Sequence, residues 1–301
     1  MMKLGFSSRV CPEWDLETMV SKASELGYDG IELFGLRGEP HLPSVGELAA
    51  RPDEVRALFQ GKKVELLCLS TVATLDVRGF AELKQQKAAI AETVGLAARL
   101  GCPYVRMSAG RTQGYMDTER LAMSRIGKAL GSLVPLLSRH GVTLLVENGG
   151  DFVRSEQLWF LVDTAGHPAI QACWNQCQAM TGAQRATRAL PQLGSRLGMV
   201  HLCDAAFDEN FVLVEYKPLG EGDTEVARQI DLLKGLVFEG YLIVHWPDSR
   251  VDSLPDPGTA LSDAATFARA CIGAQQTVLT AYKGDKKAPK LAARAGAAIA
   301  E

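Results

Sequence analysis

The stretch that decides the fold is Ala88-Ala89-Ile90-Ala91-Glu92-Thr93-Val94-Gly95-Leu96-Ala97-Ala98-Arg99-Leu100, then Gly101-Cys102-Pro103, then Tyr104-Val105-Arg106-Met107. In its first part the Ala and Leu positions recur at three and four residues, the spacing of a helix with one buried face. Gly101 tolerates the left-handed backbone and so marks the helix end. Residues 104–107 then form a short apolar run, interrupted by one arginine near its end, with the length and character of a buried strand.

The same succession recurs along the chain. Leu26-Gly27, His140-Gly141 and Glu239-Gly240 each stand between an amphipathic stretch and an apolar run. Strands are expected over 3–6, 30–34, 64–69, 104–107, 143–147, 169–174, 199–202 and 241–246. Helices are expected over 16–26, 44–60, 80–100, 118–140, 156–164, 185–197, 226–238 and 263–272. Alternation of this kind calls for parallel strands with crossover helices. Eight such units in roughly 270 residues fit a closed (β/α)₈ barrel. An open doubly wound sheet alternates in the same way, but no G-x-G-x-x-G follows the first strand, so its dinucleotide-binding form lacks support. The barrel is expected to occupy residues 1–274. From 275 to 301 the composition turns to Ala, Lys and Gly, which reads as a flexible tail.

With 301 residues, 47% of them hydrophobic and 22% charged, the chain can bury one large core. The 35 acidic and 32 basic residues leave a net charge of −3, which points away from nucleic acid or an anionic membrane as partner and towards a small ligand. No stretch approaches the ~20 apolar residues of a membrane span, and no signal peptide is expected from the first ten residues. Seven scattered cysteines are unlike a secreted disulfide framework, so a reduced, cytoplasmic protein is expected. The oligomeric state is open, a homo-oligomer included.

Catalytic groups of such barrels stand at the C-terminal ends of the strands. Four expected strands end in a polar residue: Val146-Glu147-Asn148, Trp174-Asn175-Gln176, Val200-His201-Leu202 and Val244-His245-Trp246. Glu147, Asn175, His201 and His245 thus take equivalent places on successive strands. One carboxylate, one amide oxygen and two imidazoles make a donor set for a divalent ion. Arg106 and Lys217 are candidates for a substrate carboxylate or phosphate. Glu32 is placed to contact a sugar hydroxyl or to pair with Arg37, and Trp174, Trp246 and Phe34 to wall a pocket.

The opening Lys3-Leu4-Gly5-Phe6-Ser7, the Gly27-Tyr28-Asp29-Gly30-Ile31-Glu32-Leu33 segment, Val146-Glu147-Asn148, Val200-His201-Leu202-Cys203-Asp204 and Leu219-Gly220-Glu221-Gly222-Asp223 resemble the xylose isomerase-like TIM barrels over residues 1–273. These are sugar-phosphate isomerases and epimerases, with inosose dehydratase and ketose 3-epimerase relatives. The resemblance implies one divalent ion, held by Glu, Asp, His and Glu from strands five to eight, and an enediolate reached by acid and base on opposite faces of the carbon beside a carbonyl.

Glu147 and His201 match that ligand pattern. Asn175 replaces the aspartate, His245 replaces the second glutamate, and Gln178 stands where a histidine is often found. The set carries −1 where the family's carries about −3, so hard ions should bind less firmly than zinc, cobalt, manganese or iron. The expected function is a metal-dependent isomerase or epimerase of a sugar or polyol, with Glu147 and His245 as acid and base and with Glu32, Arg106, Gln178, Lys217 and Trp246 touching substrate. An inosose dehydratase-like lyase and a sugar-binding protein that has lost catalysis are the alternatives. A three-zinc endonuclease of the same barrel is disfavoured, because the chain has only five histidines.

Overall fold

The computed structural model describes residues 2–114, 116–246 and 254–274. The expected tail from 275 to 301 lies outside them. Ten strands follow in chain order: β1 Lys3–Ser7, β2 Gly30–Leu33, β3 Glu65–Ser70, β4 Tyr104–Ser108, β5 Thr143–Glu147, β6 Ile170–Asn175, β7 Leu197–Leu202, β8 Asp204–Phe207, β9 Leu213–Lys217 and β10 Tyr241–Val244. Eight of them close a parallel barrel in the order β1-β10-β7-β6-β5-β4-β3-β2, and β8 and β9 form a separate antiparallel hairpin. The eight-stranded parallel barrel expected from the sequence is therefore present.

The helix over Phe80–Leu100 shows why the repeat folds as it does. Ile90, Val94, Ala97 and Leu100 lie on one stripe and are buried, and Gly101, at φ 70°, closes the helix by donating to the Ala97 carbonyl. Ile90, Val94 and Leu100 each contribute roughly 1.5–3 kcal/mol by leaving water, so Val94→Asp would unseat this helix from β3 and β4.

Two expected helices are split. Residues 44–60 hold a helix over Gly46–Ala50 and another over Pro52–Lys62, and residues 118–140 hold Glu119–Gly131 and Val134–His140. In both cases a proline lies in the first turn of the second helix, where its missing N–H costs nothing. The helix expected over 226–238 stops at Gly235, and Val237 turns to φ 54° ahead of β10. The last described helix is longer than expected, running from Pro257 to Gly273 with Asp256 as its N-cap.

Inside the barrel Leu67, Cys68, Leu145, Cys173, Met199 and Ile243 form an apolar plug. It is close-packed: a Cβ on Gly30 would lie 2.5 Å from Leu67 Cγ, so only glycine fits there. All seven cysteines are free thiols, with Cys177 and Cys203 in contact at 2.8 Å. Among the described residues no helix is long and apolar enough to cross a membrane.

Candidate functional site

Side chains along a strand alternate, so the residue two beyond a plug position faces the interior again, one layer nearer the strand's C-terminal end. From Cys68, Leu145, Cys173, Met199 and Ile243 that step reaches Ser70, Glu147, Asn175, His201 and His245, and from Gly5, Gly30 and Tyr104, which adjoin the plug, it reaches Ser7, Glu32 and Arg106, each polar. The ladders set Ser7 level with Glu32, Ser70 with Arg106 and Asn175 with His201, and step by two residues between these groups, where Glu32 pairs with Cys68, Arg106 with Leu145, Glu147 with Cys173 and His201 with Ile243. None is more than 8% exposed. An apolar plug thus carries a closed ring of eight polar side chains at the C-terminal end of the barrel strands.

Two carboxylates organise the ring. Glu32 Oε1 accepts from Arg106 Nε at 2.8 Å and from Ser70 Oγ at 2.7 Å. Glu147 Oε1 accepts from Asn175 Nδ2 at 3.0 Å and faces His201 Nδ1 at 2.7 Å, while its Oε2 pairs with Arg106 Nη1. Arg106 therefore bridges both carboxylates, and its guanidinium lies 5.2 Å from the centre of the Phe34 ring. The alternative partner for Glu32, Arg37, instead pairs with Glu47.

His201 lies between the carboxylates, its Nε2 3.3 Å from Glu32 Oε2. Burial opposes a charged imidazole, yet Cys173, Glu147 and Glu32 outweigh it and hold His201 well above the usual histidine range. Glu147 is held well below the usual carboxylate range, its burial overcome by Arg106 and His201, and Glu32 is lowered in the same way. His245 is the reverse case. Burial and the neighbouring His201 charge push it down to about 4, so at neutral pH its imidazole is uncharged.

The expected ligand set is brought into one cluster but is not aimed at one point. Glu32, His201 and His245, and likewise Glu147, Cys173 and His201, are groups of three potential ligands whose donor atoms lie within 4.8 Å of one another. The rings of His201 and His245, however, are stacked, with centroids 4.2 Å apart and planes 15° from parallel. An imidazole nitrogen presents its lone pair in the ring plane, so two stacked rings cannot both direct one at the same ion. Both Glu147 oxygens are already paired. The Asn175 oxygen accepts from the Gln178 backbone N–H and caps the short helix Gln176–Met180. As arranged, Glu147, Asn175, His201 and His245 do not fit a single ion, and an ion there would require one ring to leave the stack.

Among the described residues five ring atoms make no hydrogen bond: Ser7 Oγ, Glu32 Oε2, Arg106 Nη2, His201 Nε2 and His245 Nδ1. Glu32 Oε2 faces His201 Nε2 at 3.3 Å and His245 Nδ1 at 3.7 Å as ion-pair contacts; buried polar groups are normally paired, so Ser7 Oγ and Arg106 Nη2 are the atoms left without any partner.

The remaining candidates sit around the ring rather than in it. Gln178 is half-buried, one helical turn beyond Asn175. Trp246 is buried and donates from Nε1 to the Lys217 carbonyl. It lines a groove with Pro218, Leu219 and Phe267. The Lys217 ammonium pairs with Glu215 on the β8–β9 hairpin and does not reach the ring. Trp174 is fully buried.

Sequence reasoning missed Ser7, Ser70 and the hairpin. The two-residue step from plug to ring is the signal that finds the serines. It also missed Asn148, which accepts from the Asn175 backbone N–H and donates to the Asn175 carbonyl, holding β6 level with β5. Asp204, which the sequence places at a strand end, is a buried carboxylate accepting from the backbone N–H groups of Gly220, Gly222 and Thr224, and it fastens the Gly220–Asp223 loop.

The barrel matches solved structures along nearly its whole length. It superposes with a TM-score of 0.78 on the IolI protein with a bound zinc atom, at 17% identity, covering 90% of this chain and 98% of that one. Its TM-score with a D-psicose 3-epimerase solved in the presence of D-fructose is 0.73, at 14% identity, covering 91% and 100%. Among curated proteins, the fructoselysine 3-epimerase of Shigella flexneri is 21% identical over 256 residues, 80% of this chain and 87% of that protein. With the xylose isomerase-like TIM barrel model matching residues 20–271, the chain belongs to that family.

Proposed function

We propose that this protein is a carbohydrate isomerase or epimerase that moves a proton at the carbon beside a carbonyl, with Glu147 and His245 as its proton-transfer pair. The observation that carries the reading is the closed polar ring, in which an ionised carboxylate and an uncharged imidazole share one buried cluster at the catalytic end of the barrel. Sugar epimerases among the relatives and structural neighbours support the substrate class.

Both groups are in their basic form at neutral pH, and His245 is the stronger base of the two. Removal of the proton by His245 leaves an enediolate. Return of that proton to the neighbouring carbon, with the hydroxyl proton of that carbon passing to the enediolate oxygen as its own C–O becomes the carbonyl, is isomerisation. Return from the opposite face, by Glu147 after it takes the proton of His201 across their 2.7 Å contact, is epimerisation. Ser70 and Asn175 hold the carboxylates in register for this. Every proton movement is carried by the chain's own side chains.

The test is a screen of ketoses, D-psicose, D-fructose and D-tagatose among them, for epimer or aldose product by chromatography, with and without added zinc or manganese. Product formed by the wild type and lost in Glu147→Gln supports the reading. Ligand-induced stabilisation with no product from any sugar would instead favour a binding protein.

A further inference from the structure

We infer that Arg106 is the permanent cation of the polar ring, beside the titratable His201, and that its unpaired Nη2 holds the developing enediolate oxygen, the part a divalent ion plays elsewhere in such chemistry. The charge side of this inference stands on the ring alone, whereas the catalytic side rests on the proposed proton transfer by Glu147 and His245.

Three observations converge. First, the guanidinium lies between the two carboxylates of the ring and pairs with both. A cation bound to both carboxylates from within the fold leaves little negative charge to recruit a second one. Second, the two departures from the family's ligand pattern suit a ring with such a cation. Asn175 donates an amide N–H to Glu147, which an aspartate could not do. His245 adds no charge and stacks on His201 instead of converging with it on an ion. Third, Arg106 uses Nε and Nη1 on its carboxylates and leaves Nη2 buried, unpaired and in the same ring as His245 Nδ1. A buried donor without an acceptor costs stability, and a substrate oxygen in the ring would remove that cost.

The step balances without a co-reactant. His245 takes the C–H proton, the C–H pair becomes the C=C bond, and the carbonyl pair moves onto oxygen facing Nη2–H. Reprotonation reverses these movements, with nothing oxidised or reduced. A preorganised donor at the developing charge is how such sites lower barriers.

Elemental analysis and zinc and manganese titrations of chelator-dialysed protein test the charge side with no need for activity. The wild type is expected to hold well under one equivalent of either metal, with a Tm that neither moves. Arg106→Met removes the permanent charge from between the carboxylates, leaving only His201 there, and should take up about one equivalent; Arg106→Lys, which keeps the charge, should resemble the wild type. If Arg106→Met does not fold, the wild type and Arg106→Lys still decide. One tightly held equivalent in the wild type, released by His245→Gln, would overturn the inference while leaving the proton-transfer reading intact. Once a ketose is turned over, undiminished turnover in EDTA supports the catalytic side, and full loss in EDTA restored by metal contradicts it.

Discussion

The two halves of the polar ring are built differently. Strands β1 to β4 contribute Ser7, Glu32, Ser70 and Arg106, of which Arg106 bridges a carboxylate of its own half and one of the other. Strands β5, β6, β7 and β10 contribute Glu147, Asn175, His201 and His245, one carboxylate among side chains that are neutral or able to take a proton. Taken alone, the second half has the composition of an ion site. Set beside the first half, it is the proton-handling side of a ring whose permanent cation comes from across the barrel.

The strongest way to break this division is to remove the shared member. Arg106→Met takes the guanidinium from two buried carboxylates and leaves them only His201 as a charged partner, and breaking a buried pair in this way costs about 3–5 kcal/mol. Urea denaturation should show a loss of that size. A loss below about 1 kcal/mol would mean that the carboxylates are not held by the guanidinium.

Protonation of His245 probes the other half. Its folded value of about 4 lies below the ordinary 6.5, so between those values the unfolded chain binds a proton that the folded one refuses. His245 therefore withdraws stability as pH falls from 6.5 towards 4, by about 3 kcal/mol at about 1.4 per unit. His245→Gln should gain on the wild type by that amount at pH 4 relative to pH 7.5. Parallel pH-stability curves would show that the imidazole is not kept neutral by the fold.

Asn175→Asp sharpens the contrast by moving the second half towards the family's pattern. It removes the N–H donated to Glu147 and sets a second carboxylate beside it, which should cost about 1–3 kcal/mol in metal-free buffer. Part of that loss should return on adding zinc, which thermal melts can follow. The smallest effect belongs outside the ring: Lys217→Ala breaks only a part-exposed pair on the hairpin and should change stability by less than about 0.5 kcal/mol. Its KM for any sugar turned over should match the wild type's.

The barrel was legible because each unit repeats one local signal, an amphipathic helix, its end and an apolar run, and that signal survives without knowledge of the partner strands. The hairpin was not, since Val212-Leu213-Val214-Glu215-Tyr216 lies between two barrel strands, where the repeat leads one to expect only a loop and a helix. Six of the eight ring residues were visible as polar residues at or near the ends of apolar runs, Glu32 and Arg106 as well as Glu147, Asn175, His201 and His245. Ser7 and Ser70 were not, because serine at a strand end is commonplace until its neighbours are known. The role of Arg106 was least legible, because nothing local shows that Glu32 and Glu147, 74 and 41 residues away in sequence, converge on it. Nor can periodicity show that two histidine rings stack.

The most direct test of proton transfer within the ring is solvent exchange. A turned-over ketose is incubated in heavy water and the proton beside its carbonyl is followed by NMR, for wild type, His245→Gln and Glu147→Gln. The ring requires deuterium to enter at that carbon in the wild type, with a rate at least ~100-fold lower in each variant, the size of contribution a positioned acid or base makes. Deuterium entry undiminished in both variants would contradict the assignment of the pair, and product formed with no deuterium at all would contradict solvent-exchanging proton transfer by the ring.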